Sequence, residues 1–452
     1  MNKRLLIKNG CVLTLDKTLG DFKQADILVE GKKIVAVQPE LKASDCEVID
    51  AADMIVMPGF VDTHRHTWES VVRNAGADWS LVKYLDRMYY GGIGAKLRPQ
   101  DGYTANLLGA LEALNAGVTT LLDWSMINSP DHTDELIRGL QESGTRAVFA
   151  YGASGDREEW SRESEIRQSA DSRRVKQQYF TSNDQLLTMG LAIRGPEFSA
   201  WETAADDIRL ARELGVLCTM HLGFGTWGSV DRSIEKLHKA GLLGPDLNFA
   251  HANTLSYEEY KLIADSGASI SVTPEIEMMM GHGYPATGLF LENGGSPALG
   301  VDVVVATGGD MFSQMKFALQ AERARMNEKT LSAGEMPVEL TISARDALEF
   351  ATINGARALG LNHIGTLSPG KEADLIMIRT GDLNMFPVNN PVGAVVQCAN
   401  TSNVDSVFVA GKAVKRNGKM LNVDLGHLRH LADESRNYIF SQYGVPQEAF
   451  PI

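Results

Sequence analysis

The sequence predicts an α/β chain: a (β/α)8 barrel of the TIM type, with a small β-sandwich domain assembled from both chain ends. Three observations carry this. Short apolar strands alternate with helical periods from about residue 58 to residue 302, which is the texture of a parallel sheet with right-handed crossovers. Both ends of the chain instead show strands broken by turn signals. At 452 residues the chain exceeds one ordinary core and suits a barrel of about 250 residues plus a smaller domain.

Taken in order, residues 1–57 read as the first part of the small domain. Leu5-Leu6-Ile7 meets Asn9-Gly10, and Cys11 to Leu15 resumes; Asp26 to Glu30 meets Gly31, and Lys33 to Val37 follows. Asn-Gly and Glu-Gly are read as hairpin turns. Met54 to Met57, at the end of that segment, reads as a buried strand leading into Pro58-Gly59-Phe60-Val61-Asp62-Thr63-His64-Arg65-His66, and the strand before His64 is counted as the first of the barrel. The barrel is expected over 58–360. Its further strands are Val118–Asp123, Arg146–Ala150, Leu187–Ala192, Val216–His221, Leu247–His251, Ala268–Val272 and Ser296–Asp302, which brings the count to eight. Helical periods cover Gly102 to Ala116, Asp134 to Ser143, Ala204 to Leu214, Tyr257 to Ser266, Met311 to Met326 and Ser343 to Thr352. Residues 361–421 return to strand texture and complete the small domain, and 422–452 read as an amphipathic helix and tail.

Composition narrows the function. A net charge of −14 argues against nucleic acid and anionic membranes as partners, since both select a basic face. Lys3 and Arg4 precede an apolar run that Lys8 and Asn9 cut short, so no signal peptide is read, and no apolar stretch is long enough to span a bilayer. Cys11, Cys46, Cys218 and Cys398 have no paired spacing and read as reduced thiols of a cytoplasmic protein. A homo-oligomer is expected on general grounds.

Five side chains share one feature: His64, His66, His221, His251 and Asp302 each follow an apolar strand. His-x-His alone is a weak signal, and His221 or His251 alone could be a core histidine. Strand ends in a parallel barrel meet at one mouth, so together they are expected to converge. Several imidazoles and a carboxylate suit one divalent metal, zinc first and iron second. Asp310, after Thr307-Gly308-Gly309, competes with Asp302 for the carboxylate position. The remaining histidines, His132, His238, His363, His427 and His430, are assigned to the surface. Trp68, Trp79, Tyr89, Tyr90, Trp124 and Phe224 could stack on a flat ring, and Met278-Met279-Met280 could form an adaptable wall or core.

The motif Pro58 to His66, the strand-end His221 and His251, Leu299-Gly300-Val301-Asp302 and Pro369-Gly370-Lys371-Glu372-Ala373-Asp374-Leu375 together resemble the amidohydrolase superfamily. The resemblance is to the branch of cytosine, guanine and S-adenosylhomocysteine deaminases and triazine chlorohydrolases, and it covers nearly the whole chain. It implies that His64, His66, His221 and Asp302 hold the metal, that Asp302 takes the water's proton, and that His251 contacts the water or the leaving side. It implies a small heterocyclic substrate and hydrolysis of a C–N bond bearing an amino group. The alternatives are the same machinery with another leaving group (chloride, alkylamine or amide nitrogen) and an inactive binding relative. Deaminases of this branch carry a glutamate three residues after the third histidine, as a proton donor to the ring; here that position is Phe224. Glu277 or His282, in the segment Pro274 to Gly283, is expected to reach the substrate instead, with Trp68 and Phe224 lining the ring.

Overall fold

The computed structural model describes residues 4–444; Lys3 and the tail from 445 onward lie outside the described residues. The chain divides into two compact units. One comprises Met1–Asp62, Glu112–Thr120 and Asp310–Val423; the other comprises Thr63–Leu111, Leu121–Gly309 and Asp424–Ile452.

The first unit carries a nine-stranded mixed sheet built from both chain ends. Its seam is an antiparallel pair, Met54–Pro58 against Leu375–Arg379, with Met57 opposite Ile376. Ile27, Val56, Leu375, Met377 and Phe408 bury a shared core from both ends, so neither end has a full core alone. Met54 to Met57 therefore belongs to this sheet, not to the barrel. An apolar strand buried on both faces reads the same in either sheet, so its sequence could not assign it. The turn at Gly31 is a two-residue hairpin, with Glu30 opposite Lys33. Asn9-Gly10 is not a turn: Arg4–Val12 is one strand, and its register against the neighbouring strand shifts at Gly10. Asn9 takes a left-handed backbone (φ 66°) and the strand absorbs it as a bulge.

Eight parallel strands form the nearly closed barrel. The first is Phe60–Arg65, directly after the sheet strand. Gly59 is needed between the two, because a Cβ there would lie 2.2 Å from the Thr119 side chain. The others are Val118–Trp124, Arg146–Tyr151, Leu187–Ile193, Leu217–Leu222, Leu247–His251, Ser269–Val272 and Ala298–Leu299. The last strand is only two residues long, and the barrel closes through backbone bonds of the loop after it. Asp302 N–H donates to His64 O (2.8 Å) and His66 N–H to Asp302 O (2.9 Å). Inside, a polar layer crosses the strands: Thr219 donates to Asn248 (2.9 Å), whose amide donates to Ser271 (3.0 Å), which donates to Thr63 O (3.2 Å). Every polar group of that layer has a partner, as burial requires.

The intervening helices include Pro99–Asn115, Pro130–Ser143, Trp201–Leu214 and Tyr257–Ser266. His132 is a correction to the surface assignment. It lies on the inner face of Pro130–Ser143 and is buried. Among the described residues no helix is long and apolar enough to cross a membrane.

Candidate functional site

The five strand-end side chains meet. His64 Nε2 and His66 Nε2 lie 3.2 and 3.3 Å from Asp302 Oδ1. His66 Nε2 lies 3.2 Å from His221 Nε2, and His251 Nε2 lies 4.0 Å from Asp302 Oδ2. One donor atom from each of His64, His221, His251 and Asp302 falls within 4.8 Å of the others. Donors about 2.1 Å from one ion stand roughly 3 Å apart, so this spacing fits a cation. The imidazole of His221 is sandwiched between those of His66 (5.2 Å, 9° between planes) and His251 (5.5 Å, 23°).

The electrostatics suit the same reading. Burial pushes His66 down to about 4 and His251 to about 3, and holds His221 well below its usual range. Their rings are therefore neutral at pH 7, with lone pairs to offer. Burial works against ionising Asp302, but hydrogen bonds from His64 and His66 and the field of the site hold its carboxyl well below the usual range.

Backbone placement carries strain here. His251 (φ 77°) and Asp302 (φ 69°) are both left-handed, a conformation that costs a non-glycine residue of order 1–3 kcal/mol and persists where its surroundings impose it. The closing hydrogen bonds impose it at Asp302. Gly300 is equally constrained, since a Cβ would meet His64 O at 2.8 Å. Asp310 is placed differently: it caps the helix Met311–Ser332, accepting from Ser313 N–H at 2.9 Å. Asp302 is thus the carboxylate among the histidines.

A pocket of about 370 Å³, part of it open to solvent, rises from His66, His221, His251 and Asp302. Its walls are Tyr84, Tyr89, Trp160, Phe198 and Phe224, with Leu81, Leu85 and His282 completing the lining. Phe224 is held flat between Phe198 (6.0 Å, 27°) and His282 (5.3 Å, 27°). His282 thus lines the pocket. Glu277 does not line it. That carboxylate accepts from Thr273 N–H (2.8 Å) and sits 3.3 Å from His251 Nδ1, so it acts on His251. Burial raises Glu277 to about 7. Trp68 lies behind the pocket, fully buried, with its ring edge-on to His66 (6.3 Å) and Tyr89 (6.0 Å). Trp79, Tyr90 and Trp124 are likewise outside the lining, although Trp124 packs on His221 at 4.5 Å. Met278 and Met279 are exposed and only Met280 is core.

Sequence reasoning missed Glu69 and Tyr84 behind His66, and read Tyr89, which lines the pocket, only as a ring-stacking candidate. Tyr89 Oη lies 3.2 Å from His66 Nδ1, and Tyr84 donates to Glu69 Oε1 at 2.6 Å. Burial pushes the Glu69 carboxyl well above its usual range, against the Tyr84 hydrogen bond. Only the three-residue step from His66 to Glu69 hinted at it.

Comparison with known proteins agrees with this geometry. Residues 55–414 match the model of the Amidohydrolase family. A 5-methylthioadenosine/S-adenosylhomocysteine deaminase of Pyrococcus abyssi is 28% identical over 89% of this chain and 93% of its own length. A 5'-deoxyadenosine deaminase of Methanosphaera stadtmanae is 29% identical over 93% and 95%. Among solved structures, a zinc-bound adenosine deaminase from Xanthomonas campestris superposes with a TM-score of 0.85 at 22% identity, covering 97% of this chain and 98% of that one. A zinc-complexed atrazine chlorohydrolase from Arthrobacter aurescens does so with 0.82 at 20%, covering 96% and 100%.

Proposed function

Since the chain belongs to the amidohydrolase family, we propose that it hydrolyses the exocyclic C–N bond of a neutral, flat, amino-substituted nitrogen heterocycle, releasing ammonia. The convergence of His64, His66, His221 and Asp302 beneath an aromatic pocket carries this reading. These four would hold one divalent cation, for which zinc suits the nitrogen-and-carboxylate donor set. Such a cation supplies Lewis acidity and acidifies a coordinated water to about pH 7. The chain's own groups do the rest. Asp302 takes the proton of the attacking water; His251, neutral and oriented by Glu277 at Nδ1, receives that proton at Nε2, 4.0 Å from Asp302 Oδ2, and passes it to the departing nitrogen. The aromatic walls hold the ring over Asp302. The relatives named as deaminases of adenosine derivatives support the reaction type.

The walls also bear on the substrate. Outside the histidine–aspartate floor the lining holds aromatic and aliphatic side chains and His282, with no Lys, Arg, Asp or Glu. An ionised substituent would lose its hydration there without a countercharge. A substrate with short apolar substituents fits this lining better than one with a charged tail.

Phe224 favours a second reading. A phenyl group donates no proton to a ring nitrogen, so a leaving group that departs without ring protonation, such as chloride or an alkylamine, suits this pocket. Zinc-loaded protein assayed against aminopurines, pterins, cytosines and triazines decides. Ammonia release supports the first reading, chloride release from halogenated rings the second, and neither across the panel overturns both. A cytoplasmic location and a homo-oligomeric state complete the proposal.

A further inference from the structure

The polar groups that line the pocket are, with one exception, already engaged. Tyr84 donates to Glu69 Oε1 (2.6 Å), Tyr89 Oη lies 3.2 Å from His66 Nδ1, and Trp160 Nε1–H donates to Ser154 O (2.7 Å). On the floor, His66 Nε2 faces His221 and Asp302, and His251 Nδ1 faces Thr273 and Glu277. His282 is the exception. It lines the pocket, is 3% exposed, and its Nδ1 has no hydrogen-bond partner among the described residues. A buried polar atom left in that way is costly until something arrives to pair it.

The backbone fixes where this ring stands. His282 follows Gly281, whose left-handed backbone (φ 89°) ends the short helix Pro274–Met280. Its N–H donates to Glu277 O (3.1 Å), and its carbonyl accepts from the N–H of Gly225 (2.6 Å), the residue after Phe224. The rings of His282 and Phe224 lie 5.3 Å apart at 27°. On its other side His282 stands 4.7 Å from the ring of His251. An imidazole is thus placed beside the phenyl group that occupies the glutamate's position, and next to the histidine on the leaving side. Burial pushes His282 down to about 3, so the ring is neutral at pH 7 and carries one N–H.

We propose that His282 donates its N–H to the substrate's ring nitrogen next to the reacting carbon, and so does by hydrogen bonding what a glutamate at position 224 would do by protonation. The bond draws electron density out of the adjacent C=N and steadies the negative charge that grows on nitrogen as water adds. His282 itself gives up no proton. Water adds through its oxygen, and its proton reaches the leaving amine by way of Asp302 and His251. The lone pair on the ring nitrogen then re-forms the C=N bond as the amine departs. His282 is therefore a catalytic residue and sets specificity as well. A ring with carbon in place of that nitrogen leaves the N–H buried and unpaired.

The inference rests on the proposed function in one respect, that an amino-substituted heterocycle occupies this pocket. The test uses two pairs of probes that differ at that ring atom: adenine with 1-deazaadenine, and cytosine with 4-amino-2-pyridone. Binding to the zinc-loaded full chain is read by tryptophan fluorescence, since Trp160 lines the pocket. The proteins are wild type, His282→Phe, His282→Asn and His282→Gln, and the thermal midpoint of each reports whether the fold survives. Phenylalanine keeps a flat ring without a donor; the amides of asparagine and glutamine place an N–H near Nδ1 and Nε2 respectively. We expect wild type to bind the nitrogen-bearing member of a pair about 10-fold more tightly. In His282→Phe that member weakens by the same factor while the deaza member holds, and one of the two amide variants restores the preference. A packing role for His282 would weaken both members alike. Equal loss for both, or a wild-type preference retained in His282→Phe, overturns the inference. So does binding of neither pair by zinc-loaded wild type; the ammonia- and chloride-release panel then judges the reaction on its own.

Discussion

Two sides of one metal-ligand floor are supported in different ways. On one side His251 has a carboxylate and a hydroxyl directly at Nδ1: Glu277 at 3.3 Å and Thr273 at 3.0 Å. On the other, His66 Nδ1 meets a phenol, Tyr89 Oη at 3.2 Å. A carboxylate in contact makes an imidazole a better proton carrier, while a phenol orients the ring without adding a charge. The contrast supports the roles proposed for these imidazoles, with proton transfer at His251 and cation binding at His66.

The largest expected effect falls where both sides meet. His221 is stacked between the rings of His66 and His251. His221→Ala is expected to lose stoichiometric zinc and turnover together, with elemental analysis of the purified variant as the check. Full zinc content in that variant would falsify the ligand set, and with it any distinction between the sides.

Phe224 sits on the His251 side, 5.0 Å from its ring. In Phe224→Glu a carboxyl replaces a phenyl group in an apolar wall, where it keeps its proton. A proton held beside the ring is what ring protonation needs. The variant is expected to keep its zinc and to raise ammonia release relative to chloride release by about 100-fold. Loss of zinc would show that Phe224 shapes the floor as well as the wall.

Glu277→Gln separates the two sides directly. The amide keeps the shape but not the charge at His251 Nδ1. Turnover is expected to fall about 10- to 100-fold, with zinc affinity within a few-fold of wild type. A loss of zinc affinity as large as the loss of turnover would erase the distinction between the two sides.

What the sequence made legible follows the same divide. His64, His66, His221, His251 and Asp302 were readable because a parallel barrel turns five distant strand ends into neighbours, and each strand end is marked by its apolar run. Glu69 and Tyr84 were not, because their meeting depends on how a helical turn and a short helix pack over the mouth, which no periodicity records. Met54 to Met57 fell inside the 1–57 segment of the small domain yet was also counted toward the barrel, for a related reason. Burial on both faces erases the alternation that would say which neighbour a strand pairs with. Trp68 looked like a ring-stacking residue beside His66 and lies instead behind it, since the turn that follows His66 directs it inward. At Asn9-Gly10 the left-handed residue that a hairpin turn needs also serves a bulge, and only the partner strand tells the two apart.

A third buried carboxyl sharpens the comparison because it touches neither histidine. Glu197 accepts from Gly223 N–H through both oxygens (3.1 and 3.0 Å) and from Ser233 (3.1 Å). Burial raises it to about 7 against those hydrogen bonds, from an ordinary value of 4.5. The folded protein therefore prefers the protonated form. Its contribution to stability is complete below pH 4.5 and is lost as pH rises through about 7, a change of roughly 3 kcal/mol by linkage. Glu197→Gln imitates the protonated acid at every pH. Denaturant titrations should show the variant near wild-type stability at pH 5 and more stable by about that amount at pH 8, with zinc affinity unmoved. Parallel stability curves for the two proteins between pH 5 and 8 would show that the raised value is wrong. A changed zinc affinity would show that buried carboxyls tune this floor through the general field, and that direct contact with His251 is not what matters.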